Sequence, residues 1–109
     1  GVYLELILAQ NLLRESLMKI EVGKSYINAK GDVVKIEFEQ IDKIYPYVCK
    51  HYSYMINGRR VIGQESPQDL ICEVVPEIYE AYTLGYILSQ REFVERHIKY
   101  WAEYEQTNL

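Results

Sequence analysis

Cysteine is scarce in this chain. Cys49 and Cys72 are its two thiols, whereas a secreted domain of 109 residues ordinarily carries more, arranged as a disulfide framework. The pair reads as reduced thiols in a cytoplasmic protein. Long apolar runs are missing too: none approaches the ~18 residues that span a bilayer, so no membrane segment is expected. Residues 3–9 are apolar, but Glu5 interrupts them and neither a basic leader nor a small-x-small cleavage site frames them, which reads against an export signal. No block of five like charges occurs, and the formal net charge is -4. A nucleic-acid backbone binder relies on clustered Lys and Arg, so that class is disfavoured. Gly58, Gly63 and Gly85 are isolated and build no strand-loop-helix cradle for phosphate. Phenylalanine is rare, with only Phe38 and Phe93, while 11 tyrosines and Trp101 supply the remaining aromatics. A tyrosine ring can be buried while its hydroxyl seeks a partner, so such a chain suits half-wet surfaces and interfaces as well as cores.

What is present is the balance of an ordinary globular domain: 49% hydrophobic and 26% charged residues in a length that leaves no room for a second core. Residues 1–109 are read as one domain. In residues 3–17, YLELILAQNLLRESL, Leu4, Ile7, Leu8 and Leu12 recur at helical spacing, and Leu6 and Leu13 widen the apolar face. This predicts an amphipathic helix with apolar surface to spare, and a homo-oligomer formed through Leu4, Ile7, Leu8 and Leu12 is one expected use of it. Met18-Lys19-Ile20-Glu21-Val22 also reads like the start of a strand-first protein, which would make the first 17 residues an added element.

From residue 19 the period becomes two, and residues 19–75 are predicted to form one antiparallel sheet of four to five strands. A hairpin turns at Ala29-Lys30-Gly31-Asp32 and returns through Val33, Val34, Ile36 and Phe38. A third strand covers residues 45–56, YPYVCKHYSYMI. Asn57-Gly58 is the strongest hairpin signal in the chain and predicts a return strand over 59–62. The turn chemistry of Glu65-Ser66-Pro67-Gln68-Asp69 precedes a last strand, LICEVV. Residues 77–105 are expected to be a helical pair. The first helix, over 77–87, has Pro76 at its start and a stripe of Ile78, Tyr82 and Tyr86. Ser89-Gln90-Arg91-Glu92 is a capping box that opens the second. The fold class is therefore α+β, with two hairpins and a final strand between an N-terminal helix and two C-terminal ones.

No catalytic constellation stands out. Cys49, His51, Cys72 and His97 include the ligand types of zinc, but structural zinc sites take ligands in close pairs, and Cys72 and His97 stand alone. Small core hydrophobes and a packed imidazole are the plainer account, and no metal or cofactor is expected. Cys49 and His51 on one strand would point in parallel, not at each other. Glu37 with Glu39, and Glu65 with Asp69, read as solvated acids, not as a carboxylate pair held across a cleft. The remaining candidate is an aromatic and basic face: Tyr45, Tyr47, Tyr52 and Tyr54 with Arg59 and Arg60. On a continuous strand Tyr45 and Tyr47 would face one way, and Tyr52 and Tyr54 the other. Tyr and Arg are enriched in interface hot spots, and they can also stack on single-stranded nucleic acid.

The run from Gly23 to Val74, comprising GKSYINAKGDVVKI, YPY, the Asn-Gly-Arg of YSYMINGRR, and GQESPQDLI, resembles small uncharacterised proteins of bacteriophages and prophages. The resemblance covers about half the chain. It implies a compact sheet encoded among phage accessory genes, acting in the bacterial cytoplasm, with no established activity attached. The expectation is a non-enzymatic accessory protein that binds a host protein or its own copy, in some cases inhibiting a host system. Its alternative is a nucleic-acid-binding module that uses the same Tyr and Arg face.

Overall fold

The computed structural model describes residues 19–85 and 87–108. The helix expected over 3–17, with Leu4, Ile7, Leu8 and Leu12, lies outside the described residues, as does Tyr86. The α+β class holds. Among the described residues six short strands, β1 (Ser25–Asn28), β2 (Val33–Lys35), β3 (Phe38–Glu39), β4 (Tyr47–Val48), β5 (Ser53–Tyr54) and β6 (Leu70–Glu73), precede two helices, α1 (Pro76–Thr83) and α2 (Gln90–Asn108).

The strands form two three-stranded antiparallel sheets, ordered β2-β1-β6 and β3-β4-β5, and not the single sheet predicted. The division arises inside the expected return strand. Ile36 N–H still donates to Lys24 O on the first sheet (3.0 Å), but the next residue, Glu37, donates to Val48 O on the second (2.8 Å). One β-patterned run therefore serves two ladders.

The first hairpin closes as the residues require. Asn28 Oδ1 accepts the N–H groups of Lys30 (2.9 Å) and Asp32 (3.0 Å), and Gly31 N–H donates to Asn28 O (2.9 Å). This is an Asx-type closure in which a nearly buried side chain replaces missing backbone partners. Gly31 sits at φ +91°, and a Cβ there would lie 3.2 Å from Gln90 Nε2 and 3.3 Å from Val94 Cγ2. Gly31→Ala is therefore expected to lower stability by about 1–2 kcal/mol, read as a lower urea midpoint.

Tyr26 and Ile27 are neighbours on β1, so their side chains leave opposite faces of the first sheet, and both are fully buried. On one face Ile27, Ala29, Ile71, Cys72, Phe93 and Val94 form a core with the helices. On the other, Tyr26 and Leu70 pack with Ile20, Ile36, Cys49 and Tyr54 toward the second sheet. Ile71 and Cys72 both join the helix side because β6 is bulged: Ile27 faces Cys72 and Asn28 faces Leu70, which leaves Ile71 as the extra residue. Tyr26 also ties down the entering chain, since its hydroxyl donates to Lys19 O and accepts from Glu21 N–H, both at 2.8 Å.

Pro76 opens α1, and Ile78 and Tyr82, one turn apart, pack on the core. The helix stops at Thr83, short of the expected residue 87, because Gly85 takes the left-handed conformation (φ +88°) that ends helices. Ser89 then caps α2: its Oγ accepts the Glu92 N–H at 3.1 Å, and the Glu92 carboxylate lies 3.4 Å from the same hydroxyl. Phe93, His97 and Trp101 follow at intervals of four, which aligns them on one stripe. Burying Phe93 stabilises by about 2–3 kcal/mol, and its ring stacks on Tyr82 at 4.4 Å. Trp101 Nε1 donates to Glu73 O (2.9 Å), fastening the helix to β6.

Candidate functional site

The residues expected to form one aromatic face are dispersed, because residues 45–56 are not one strand. Cys49 N–H donates to Tyr52 O (2.8 Å) and Tyr52 N–H donates to Cys49 Sγ (3.3 Å), so the chain reverses between β4 and β5. Tyr47 then sits opposite Tyr54. An odd separation that would put these two on opposite faces of a continuous strand puts them on the same face of a hairpin, toward the core. Tyr54 is fully buried and Tyr47 half-buried against the same cluster. Among the described residues the Tyr54 hydroxyl has no hydrogen-bond partner, and its burial, with the Cys49 thiol adding to it, pushes its pKa well above the usual phenol range.

Tyr52 and Arg60 do come together. The Arg60 guanidinium lies 4.6 Å from the centre of the Tyr52 ring and donates to Ser53 O (2.8 Å). Tyr45 is half-buried beside the residue 42–45 turn, where its N–H donates to Asp42 Oδ1 (2.7 Å). Arg59 reaches Gln64 O at 3.4 Å. The Asn57-Gly58 turn is present, with Gly58 at φ +82° and its N–H donating to Met55 O, but residues 59–62 form no strand. The Asp69 carboxylate takes the Arg60 N–H (2.8 Å) that a ladder would have used.

The buried ionisable groups serve the fold. Asp69 is fully buried, and its carboxylate also accepts Ser66 N–H (2.9 Å), so it joins two loops at the foot of β6. His97 is fully buried on α2. Its Nε2 accepts Val75 N–H (2.9 Å) and its Nδ1–H donates to Phe93 O (2.7 Å), a pattern that requires the neutral ring. Burial lowers its pKa, and the bond to Phe93 opposes that only in part. Burial pushes the Cys72 thiol up to about 12, far from a reactive thiolate. Cys49 and Cys72 belong to clusters on opposite sides of the first sheet, and His51 lies on an exposed turn. Among the described residues no group of three His, Cys, Asp or Glu converges to hold a metal.

Two surface features were not foreseen. The loops flanking β4 and β5 expose Ile44 (48%), Ile56 (69%) and Ile62 (64%), which with Met55, Lys43 and Asn57 line a shallow hollow of about 400 Å³. Ile41, fully exposed, stands on the same incoming loop. The sequence carried no signal for them, since Ile56 and Ile62 read as strand residues and only the structure places them in turns. The second feature is a cleft of about 520 Å³ between β2 and the residue 49–52 turn, rimmed by Lys30, Lys35, Lys50 and His51.

Comparison with protein families, with curated proteins and with solved structures finds no match to this chain. Among the described residues no helix is long and apolar enough to cross a membrane.

Proposed function

We propose that this chain is a non-enzymatic accessory protein that acts by binding another protein through the Ile44-Ile56-Ile62 hollow. The observation that carries this reading is the exposure of three isoleucines around one depression, since monomeric proteins rarely leave contiguous aliphatic surface open without a use for it. Among the described residues Lys43 is the only charged one lining the hollow. The partner that fits is a protein offering a large apolar side chain flanked by a carboxylate, because an apolar anchor with a charged rim is the usual anatomy of a hot spot. The structural employment of Asp69, His97 and Cys72 supports a binding role over catalysis. The resemblance of residues 23–74 to phage and prophage accessory proteins supports a partner in the bacterial host, met in its cytoplasm, with inhibition of a host system as the consequence.

The test is a pull-down from nuclease-treated host lysate with the full chain and with Ile56→Asp/Ile62→Asp, alongside mass by light scattering. Both positions are exposed, so the double variant is expected to keep its unfolding free energy within about 0.5 kcal/mol. A stoichiometric host protein that binds the parent chain and is lost with the variant supports the reading. Retention by the variant at equal yield removes the hollow from consideration. A dimer that the variant dissociates would replace the host protein with a second copy.

The nucleic-acid alternative rests on Tyr52 with Arg60, the one aromatic-cation pair that the fold assembles from the expected face. It requires binding that weakens steeply with salt and a slope that falls on Arg59→Ala/Arg60→Ala.

A further inference from the structure

We propose that the cleft between β2 and the residue 49–52 turn is a binding site for a nucleoside monophosphate. It is separate from the isoleucine hollow and does not depend on it.

The cleft joins chemistry that no single element carries. Lys30 and Lys35 come from the β1–β2 loop and from β2, and Lys50 from the turn after β4. Among the described residues none of these three ammonium groups has an ion-pair or hydrogen-bond partner, in contrast to Lys24, which holds Glu21 and Glu73. In a chain of net charge -4, three lysines set against Asp32 and Glu37 leave this one depression with a small positive excess. A phosphate monoester carries a charge of about -1.5 to -2 at neutral pH, which three lysines can match. The same rim includes Asp32 and Glu37, which accept hydrogen bonds and so favour a ligand with hydroxyl groups beside its phosphate. Tyr52 lines the cleft with its ring already held by Arg60, and His51 meets that ring edge-on at 6.3 Å, a preset aromatic wall on which a base can stack. The volume is within the range of small-molecule sites.

The floor adds an independent observation. Cys49 lines the cleft, and behind its thiol lies the buried hydroxyl of Tyr54, which among the described residues has no hydrogen-bond partner. A buried hydroxyl left unpaired is uncommon enough to require a reason, and a polar group or water delivered through the cleft would supply one.

The experiment is an amide chemical-shift titration of the full chain with adenosine monophosphate, adenosine and inorganic phosphate run separately. The nucleotide is expected to give saturable shifts over residues 30–37 and 49–52, with affinity in the range of about 0.1–1 mM and at least about tenfold weaker responses to adenosine or phosphate alone. Lys35→Glu/Lys50→Glu, both at exposed positions, should weaken the nucleotide by about tenfold or more with an unchanged unfolding midpoint. Tyr52→Leu should bring its affinity toward that of inorganic phosphate. Absence of saturation, insensitivity to the charge reversal, or an equal response to inorganic phosphate would overturn the assignment. An oligonucleotide that binds far more tightly than the mononucleotide, with shifts extending over residues 59–60, would overturn it in favour of a polymer track.

Discussion

Asp69→Ala is expected to lower the unfolding free energy by about 3 kcal/mol. The side chain is fully buried and its two oxygens accept the N–H groups of Arg60 and Ser66. Hydrogen bonds to a charged acceptor contribute about 1.5–3 kcal/mol each, and truncation leaves two buried or half-buried donors without partners. The loss is expected to move Tm by roughly 10–20 °C. Asp69→Asn should fall between, because an amide presents one oxygen where the carboxylate presents two. Urea unfolding followed by circular dichroism measures both. Equal midpoints for Asp69→Ala and the parent chain would mean that the two loops are held by their backbone contacts alone. Those contacts are Leu70 N–H to Gly58 O (2.9 Å) and Asp69 N–H to Ser66 O (3.0 Å).

His97 sets the second large effect, and it depends on pH. The folded chain needs its imidazole neutral, since Nε2 must accept from Val75, and burial holds its pKa below the ordinary 6.5. Between those two values the unfolded chain binds the proton that the folded one refuses. Stability therefore falls as pH drops below about 6.5, at up to about 1.4 kcal/mol per pH unit, until the depressed folded value is reached. Above pH 7 this contribution is fully present. His97→Gln can still offer an oxygen to Val75 and does not titrate, so it should flatten the profile between pH 5 and 7 at the expense of some packing against Phe93. His97→Ala should cost about 2–4 kcal/mol at pH 7.5, through the cavity and the unpaired Val75 N–H. Chemical denaturation across pH distinguishes the three. A parent profile as flat as that of His97→Gln would show that the ring tolerates its proton, against the hydrogen-bond pattern. Acid loss at still lower pH has a different origin: Lys24 holds the Glu21 pKa below 4.5, and the N–H groups of Tyr45 and Ile44 hold Asp42 below 3.8. Both lower the charged-state energy of exposed carboxylates and act only in that range.

The candidate sites were less legible in the sequence than the helices. Nothing in Val48-Cys49-Lys50-His51 marks a reversal by glycine, proline or asparagine, because the turn is closed by a thiol that accepts a backbone N–H, a weak and infrequent device. Missing that turn inverted the facing of Tyr47 relative to Tyr54 and turned a buried tyrosine into a supposed contact residue. The cleft and the hollow are lined by residues distant in the chain, Lys35 with Lys50 and Ile44 with Ile62, which no local pattern relates.

The capping box at Ser89, the start of α1 at Pro76 and the hairpin turn at Ala29–Asp32 were determined by the sequence itself. Each depends on contacts within a few residues, where side-chain chemistry and backbone geometry leave one favourable answer. The division into two sheets, the bulge at Ile71, the conversion of residues 59–62 from strand to loop and the burial of Tyr54 were decided only by tertiary structure. For the two sheets and for residues 59–62, a backbone N–H that a local ladder could have used is bonded to a distant acceptor instead, Val48 O for Glu37 and the Asp69 carboxylate for Arg60.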